Sequence, residues 1–236
     1  MIKSKRSRKD KDDVVYIPER PVKLLRSLNQ RQANYLESIC RNDSITIAIG
    51  AAGTGKTFLA SAKAIDFLQA GIVSSIILIR PLVSADEKIG HLPGEIENKV
   101  APFMEPYIDC FNDRVGKAVV TKMLTDGRIQ IKPLAFLQGK TFNDCVILVD
   151  EAENLTRKNK KDQMKLILTR MGQNCRAIFM GDPAQTYVDN SAFCYAIKVL
   201  KTVPRVRIIH FLTEDVVRSD ACRDVLNAYD LYEGKD

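Results

Sequence analysis

The sequence has few of the residues from which metal sites and disulfide frameworks are built. It contains only two histidines, His91 and His210, which are too few for a histidine-rich metal site. Its six cysteines lie far apart along the chain and form no C-x-x-C pair. This spacing favours free, structural thiols in a reducing compartment over a disulfide framework or a zinc site.

Long apolar runs are also missing. No run approaches the roughly 18 apolar residues that would indicate a membrane span. The N-terminal stretch MIKSKRSRKDKDD is charged from its third residue and lacks the apolar segment of a secretory signal. We therefore expect a cytoplasmic chain that neither crosses a membrane nor is exported.

Aromatic residues are scarce, whereas positive charge is in excess. Tryptophan is absent and aromatics make up 7% of the chain, so platforms for stacking nucleic-acid bases are not conspicuous. The formal net charge of +7 nevertheless fits a polyanionic partner. Residues 1–13 carry six Lys/Arg against three Asp and so contribute +3 of this charge. That segment suits a solvated chain end and a nucleic-acid contact equally well.

Apolar stretches typical of buried parallel strands alternate with helix-like stretches along most of the chain. Residues 1–25 are polar and interrupted by proline, so we predict a flexible basic tail there and one domain over residues 26–236. The alternation predicts an α/β fold, a three-layer sandwich with a mostly parallel central sheet that binds ligands at the carboxyl ends of its strands. The predicted strands are 44–49, 74–80, 128–133, 145–151, 176–182 and 206–211, and the predicted helices are 57–70, 161–171 and 219–232.

A glycine-rich segment, AIGAAGTGKTFLASA (48–62), connects the first predicted strand to the first predicted helix. It satisfies the pattern G-x-x-x-x-G-K-[ST] in the strand–loop–helix context that this pattern requires. Glycines let successive backbone N–H groups converge on a phosphate, Lys56 adds a charge toward the β- and γ-phosphates, and the Thr57 hydroxyl can ligate Mg²⁺. We predict that ATP binds to the whole loop, which consists of Gly50, Ala51, Ala52, Gly53, Thr54, Gly55, Lys56 and Thr57.

Two carboxylates follow the apolar run of CVILVDEAEN. The apolar residues 146–149 of the predicted strand end in Asp150 and Glu151, which would place both at its carboxyl end, and we expect this strand to neighbour that of the phosphate loop. Asp150 would then bind Mg²⁺, usually through water, and Glu151 would position or deprotonate the attacking water. An Asp-Glu pair alone would equally suit the start of a turn, so the prediction depends on the phosphate loop beside it.

The order of these segments resembles the motif set of superfamily-1 helicases. After the phosphate loop and the Asp-Glu pair comes GDPAQ, which matches G-D-x-x-Q, and the resemblance implies that Gln185 senses the γ-phosphate. Upstream, LNQRQ matches the L-N-x-x-Q pattern by which those enzymes recognise adenine. The resemblance therefore implies that Gln32 contacts the base, although Gln32 would also suit an ordinary polar position on a helix.

Longer stretches resemble the PhoH-like ATPases, the phosphate-starvation-inducible family, over roughly residues 28–232. They include IRPLVSADEKIGHLPGEIENKVAPFMEP, PLAFLQGKTFND, VILVDEAEN, IFMGDPAQ and TEDVVRS. The resemblance implies an ATPase with a single RecA-like core, related to helicase motor domains and acting on RNA. One position departs from the pattern: the family typically has D-E-x-Q-N after the strand, whereas this chain has Glu153 in place of the glutamine.

An arginine is still needed in the predicted site. Phosphoryl transfer spreads charge onto the γ-phosphate, and an arginine that meets this charge contributes about 10³–10⁵ in rate. Two-domain helicases supply it from their second domain, so we predict that copies of this one-domain chain assemble head to tail and complete each other's sites. The family resemblance points to a hexameric ring. Arg218 in TEDVVRSD is the first candidate, Arg170 and Arg80 are alternatives, and each also suits a structural ion pair. For Arg80 we favour a position at the exit of its strand, near substrate or phosphate.

Three functions are compatible with these motifs. The first is a Mg²⁺-dependent ATPase that moves or remodels single-stranded RNA or DNA, with residues 81–95, Lys140 and the basic run 157–161 near the strand. That basic run equally suits a solvated helix start. The second is a nucleotide-dependent switch or assembly ATPase that unwinds nothing. The third, a small-molecule kinase, has less use for Asp150, Glu151 and Gln185 together.

Overall fold

A six-stranded parallel sheet forms the centre of the computed structural model, which describes residues 24–42, 44–81, 104–158 and 161–232. The strands are β1 (Ile45–Ile49), β2 (Ser75–Ile79), β3 (Ile129–Ile131), β4 (Cys145–Val149), β7 (Cys175–Gly181) and β8 (Val206–His210), while β5 (Arg157–Lys158) and β6 (Lys161–Asp162) form a separate antiparallel hairpin. The sheet order is β3-β2-β4-β7-β1-β8. All six predicted strands are confirmed.

The central strands are apolar because both faces of the sheet are covered. Every residue of β4 and of β7 is buried, which explains why these strands are nearly continuous apolar runs rather than alternating ones. The helices are α1 (Gln30–Cys40), α2 (Lys56–Gln69), α3 (Glu105–Val115), α4 (Lys117–Thr125), α5 (Gln163–Leu168), α6 (Ala192–Val199) and α7 (Asp220–Tyr232).

These helices form the two outer layers. Apolar side chains of α1, α2, α3 and α4 pack in one core cluster, and those of α5 and α6 pack in a second cluster on the other face of the sheet. The predicted α/β fold, a three-layer sandwich around a parallel sheet, is confirmed. Helix α7 lies at the surface, and most of its residues are exposed.

Helices α3 and α4 occupy a stretch for which the alternation of strands and helices predicts no element. Helix α3 has Pro106 in its first turn, where a missing N–H costs no hydrogen bond. Its Tyr107 and Phe111, four residues apart, are fully buried in the core cluster of α2. This spacing was the available signal for a helix with one apolar face.

The strand that carries the acidic pair does not adjoin the strand of the phosphate loop, so that expectation is wrong. Strand β1 pairs with β7 and β8, and β4 pairs with β2 and β7, so that β7 lies between β1 and β4. The carboxyl ends of β1, β4 and β7 still face the same edge. The segments that follow these three strands therefore come together there.

Some predictions fall outside the described residues. These are residues 1–23 of the predicted tail, residues 82–95 of the predicted substrate loop and residues 159–160 of the basic run. The division into a tail and one domain stays a prediction. Within the described part of the chain, no helix is both long enough and apolar enough to cross a membrane.

Candidate nucleotide site

The phosphate loop connects β1 to α2 at the carboxyl edge of the sheet. Gly50 has a φ of 141° and Gly55 a φ of 86°, a region of backbone conformation that other residues rarely adopt. A Cβ atom on Gly50 would lie 2.5 Å from the carbonyl oxygen of Phe211, so a side chain there would force β1 and the segment after β8 apart. The glycines thus permit both the turn and its close packing.

Lys56 is buried within this loop. Its Nζ donates hydrogen bonds to the carbonyl oxygens of Gly50, at 2.5 Å, and Ala51, at 2.8 Å. Burial lowers the pKa of the Lys56 ammonium, and the nearby carboxylates of Asp182 and Asp150 partly oppose this effect. A phosphate in the loop would offer this ammonium a charged acceptor in place of two neutral carbonyls.

Thr57 and Asp150, predicted as the metal pair, are in direct contact. The Thr57 hydroxyl lies 3.2 Å from both carboxylate oxygens of Asp150. Burial raises the pKa of Asp150, although hydrogen bonds from the Glu151 N–H and the Thr57 hydroxyl oppose the rise. This pair of oxygen donors fits Mg²⁺, which binds one or two protein groups and takes its other ligands from water and phosphate. Among the described residues no cluster of three or more acidic, histidine or cysteine side chains could hold a metal without such help.

Glu151 has a strained backbone and a charged partner. It adopts left-handed dihedrals, φ 50° and ψ 41°, which are uncommon for a residue other than glycine. Its carboxylate pairs with the guanidinium of Arg80, which follows β2. Arg80, predicted at the exit of its strand and as an alternative arginine finger, therefore orients the proposed catalytic carboxylate. Sequence reasoning missed this contact because the two residues are far apart in the chain.

The segment after β7 places Asp182 and Gln185 beside the acidic pair. Gln185 Nε2 donates a hydrogen bond to Asp182 Oδ2 at 3.0 Å, and the Asp182 N–H donates to Glu153 Oε2 at 3.2 Å. Glu153 is buried, and its burial raises the pKa of its carboxyl to about 7. The residue that departs from the family pattern thus joins the segments after β4 and β7.

Arg218 lies on the phosphate loop of its own chain. The Val217 N–H donates to the Gly53 carbonyl at 3.0 Å, and a Cβ on Gly53 would lie only 3.0 Å from Arg218 Cδ. The Arg218 side chain therefore covers the loop at the point where a glycine leaves room for it. The role of Arg218 as an arginine supplied to a neighbouring subunit stays a prediction.

Most of the predicted site residues surround one cavity of about 450 Å³. The predicted residues that line it are Gly50, Ala52, Gly53, Gly55, Lys56, Thr57, Asp150, Glu151 and Gln185, together with Arg218, which was predicted for the site of a neighbouring copy. Residues that line the cavity without having been assigned a role are Phe58, Pro106, Glu153, Gly181, Asp182 and Val217. Asp182 and Gly181 belong to the GDPAQ segment, so the sequence contained a signal for them.

Gln32 does not line this cavity. It is buried, its side-chain oxygen accepts a hydrogen bond from the Leu28 N–H at 2.8 Å, and its Nε2 donates to the Thr54 carbonyl at 3.1 Å. Gln32 thus ties the start of α1 to the phosphate loop. Its contact with adenine stays a prediction.

Arg170 lies at the opposite end of the sheet. Its carbonyl accepts a hydrogen bond from the Phe142 N–H at 2.8 Å, just before β4 begins. Because the cavity lies at the carboxyl ends of the strands, Arg170 is remote from the site of its own chain. It stays a candidate only for a contact with another copy.

Comparison with known proteins gives one consistent family. The family model described as PhoH-like protein matches residues 24–230. A PhoH-like protein of Mycobacterium tuberculosis (strain ATCC 25618 / H37Rv) is 36% identical over 214 residues, which are 89% of this chain and 59% of the relative. A PhoH-like protein of Bacillus subtilis is 36% identical over 88% of this chain and 65% of its own length, and Protein PhoH of Escherichia coli K12 is 37% identical over 85% and 57%. The chain thus matches less than two thirds of the length of each of these relatives.

Among solved structures, the large terminase of bacteriophage HK97 is similar, with a TM-score of 0.46 and 16% sequence identity. The match covers 83% of this chain and 41% of the terminase chain. The Pif1 helicase of Candida albicans matches with a TM-score of 0.37 and 16% identity, over 80% of this chain and 41% of the helicase.

Proposed function

Because this chain belongs to the PhoH-like protein family, we propose that it binds ATP with Mg²⁺ and hydrolyses it to act on single-stranded nucleic acid. The observation that carries the proposal is the convergence of a buried lysine, a hydroxyl–carboxylate pair and a second carboxylate on one cavity. Lys56, Thr57, Asp150 and Glu151 follow two separate strands, yet all four line it. This combination is what transfer of a phosphoryl group to water requires.

The phosphate loop would hold the triphosphate through its backbone N–H groups and the N-terminus of α2. Lys56 would turn from the loop carbonyls toward the β- and γ-phosphates. Thr57 and Asp150 would hold Mg²⁺ between them. An ion held there would supply positive charge to offset the negative charge that develops on the phosphates.

Glu151 would orient the attacking water and accept its proton as the bond between the water oxygen and the γ-phosphorus forms. The bond from that phosphorus to the bridging oxygen breaks, and ADP leaves with the electron pair. The ion pair with Arg80 orients this carboxylate at the edge of the cavity. Gln185, held by Asp182, would face the γ-phosphate from the segment after β7.

One assay tests this function. We expect release of phosphate from Mg·ATP, and we expect single-stranded RNA or DNA to raise its rate by an amount that shrinks as salt increases, because polyanion binding releases counterions. A rate of phosphate release that neither RNA nor DNA changes would favour the nucleotide-dependent switch instead. An absence of Mg²⁺-dependent turnover would contradict the proposed ATPase.

Arg218 provides a second prediction, because it contacts its own phosphate loop. We expect Arg218→Ala to lower turnover by about 10³-fold, the range of an arginine that meets transition-state charge. If Arg218 acts within its chain, mixing the Arg218→Ala and Lys56→Ala proteins should restore no activity. Recovery of turnover in the mixture would contradict this and would show that the arginine is supplied by a neighbour.

Assembly into a head-to-tail ring, with six copies as the family resemblance implies, stays a proposal that rests on that resemblance. With Arg218 placed on its own loop, a neighbour would have to contribute another arginine. Arg170 lies at the amino edge of the sheet, remote from the cavity of its own chain, and suits that contribution better than Arg80, which is paired with Glu151.

A further inference from the structure

A second hollow lies where α6 meets the β5–β6 hairpin. It has a volume of about 210 Å³ and is lined by Arg157 of β5, by Tyr195 and Lys198 of α6 and by polar residues of the preceding turn. We call this region the Arg157–Tyr195 surface. It lies on the side of the sheet covered by α5 and α6, and the site already described does not use it.

Arg157 is held over the exposed ring of Tyr195. Its guanidinium carbon lies 3.8 Å from the ring centroid, and Tyr195 is 42% exposed. Its Nε lies 3.6 Å from an oxygen of Asp162, and its backbone N–H donates to the Asn190 carbonyl at 2.9 Å. Neither Nη atom of Arg157 has a hydrogen-bond partner among the described residues. These donors are therefore oriented and available.

The arrangement suits a ligand that is both aromatic and anionic. A planar guanidinium stacked on a tyrosine extends a flat surface on which a base can stack, and its free Nη donors can bind a phosphate. Lys198 lies three residues after Tyr195, about one helical turn along α6, and adds a second cation. An open hollow that recognises a π-face and a phosphate fits unpaired nucleotides, whose faces are accessible, rather than a duplex.

We propose that the Arg157–Tyr195 surface binds single-stranded nucleic acid, with one base stacked at the Arg157–Tyr195 pair and the adjoining phosphate near Lys198. The basic run 157–161 suggests a nucleic-acid contact or a solvated helix start, and it contains no aromatic residue. The fold supplies an aromatic partner from a helix nearly 40 residues away, and Tyr195 and Lys198 were not predicted.

The surface is connected to the nucleotide site by the segment after β7. Gln185 lines the nucleotide cavity, and two residues later the Tyr187 N–H donates to Asn154 Oδ1 at 3.0 Å. The segment then reaches Asn190, which binds the backbone of Arg157. A shift of this segment that follows the γ-phosphate would therefore move one wall of the surface. This coupling, unlike the binding itself, rests on the proposed ATPase function.

Fluorescence anisotropy with labelled oligonucleotides of about 20 residues, RNA and DNA of one sequence, tests the proposal. Tyr195→Ala should weaken binding about 10-fold, whereas Tyr195→Phe, which keeps the ring, should bind like the parent. Lys198→Gln should reduce the slope of log affinity against log salt by about 0.7, the value for one phosphate contact on a single strand.

A substitution of Asp189 is the most discriminating variant, because this exposed carboxylate lines the same hollow and would repel a phosphate. Asp189→Asn should therefore tighten binding at low salt, which a purely structural role would not produce. Lys117→Gln, which removes an exposed cation on α4 at the other face of the sheet, is the charge-matched control and should leave affinity unchanged.

Equal affinity of the Tyr195→Ala and parent proteins for both oligonucleotides would overturn the proposal, as would an equal loss in the Lys117→Gln control. ATP turnover without nucleic acid, measured on the same proteins, separates this outcome from failure of the proposed function. If the variants change oligonucleotide affinity but no protein hydrolyses ATP, the surface binds nucleic acid and the proposed ATPase function is wrong. If affinity is unchanged and turnover is normal, the ATPase function stands and the proposed binding surface is wrong.

Discussion

Lys56→Ala is expected to reduce ATP affinity by about 10²–10⁴-fold, because removing one partner of a buried, hydrogen-bonded charge pair costs about 3–5 kcal/mol. The structure adds a second reason. Lys56 Nζ bonds to the carbonyls of Gly50 and Ala51, so alanine would also leave the inner side of the loop without its internal donor. Calorimetric titration with Mg·ATP measures the loss directly.

Lys63→Ala is the matched control for this experiment. Lys63 lies on the same helix, α2, seven residues further along, and its ammonium lies 5.1 Å from the ring centroid of Phe67 rather than near the loop. We expect this variant to bind ATP like the parent. Parental ATP affinity in a folded Lys56→Ala protein would contradict the assignment of the loop.

The parts of the site that are local in sequence could be predicted from it. The loop between β1 and α2 carries its glycines, lysine and threonine in eight consecutive residues, and their spacing alone specifies a phosphate-binding turn. The same holds for Asp150 and Glu151, since an apolar run followed by two acids places them at the end of a buried strand. At these positions the local sequence pattern determines the local backbone structure, so no knowledge of distant contacts was needed.

Contacts between distant segments could not be predicted in the same way. The pairs Arg80–Glu151 and Arg218–Gly53 depend on which strands neighbour each other, and strand order cannot be derived from local sequence patterns. This is also why β7 was not expected between β1 and β4. The Arg157–Tyr195 pair has the same origin, because it forms only when α6 packs beside the hairpin.

The contacts of Glu153 explain how this residue can stand where the D-E-x-Q-N pattern has glutamine. A glutamine at this position would be neutral at every pH, whereas the buried carboxyl of Glu153 has a pKa of about 7. Near neutral pH it is therefore present in both protonation states. Its Oε2 accepts the Asp182 N–H in a contact that either state allows, so the substitution keeps the link between the segments after β4 and β7.

Glu151→Gln is expected to lower the rate of ATP hydrolysis by about 10²–10⁴-fold, the usual contribution of a general base. The amide keeps the size of the carboxylate but cannot accept the proton of the attacking water. ATP binding should survive, because the proposed ligands of the triphosphate and the metal, Lys56, Thr57 and Asp150, are unchanged. Single-turnover release of phosphate, measured beside the affinity for Mg·ATP, separates the two effects.

The ion pair with Arg80 sharpens this expectation. In the parent protein Glu151 neutralises the Arg80 guanidinium, and glutamine removes that charge, so the cavity of the variant becomes more positive by one unit. Affinity for the anionic nucleotide should therefore stay equal or increase while turnover falls. Glu37→Gln, the same change at an exposed position of α1, should alter neither quantity. Turnover of Glu151→Gln at the parental rate would show that another group activates the water, and a matching loss of ATP affinity would show that Glu151 binds substrate instead.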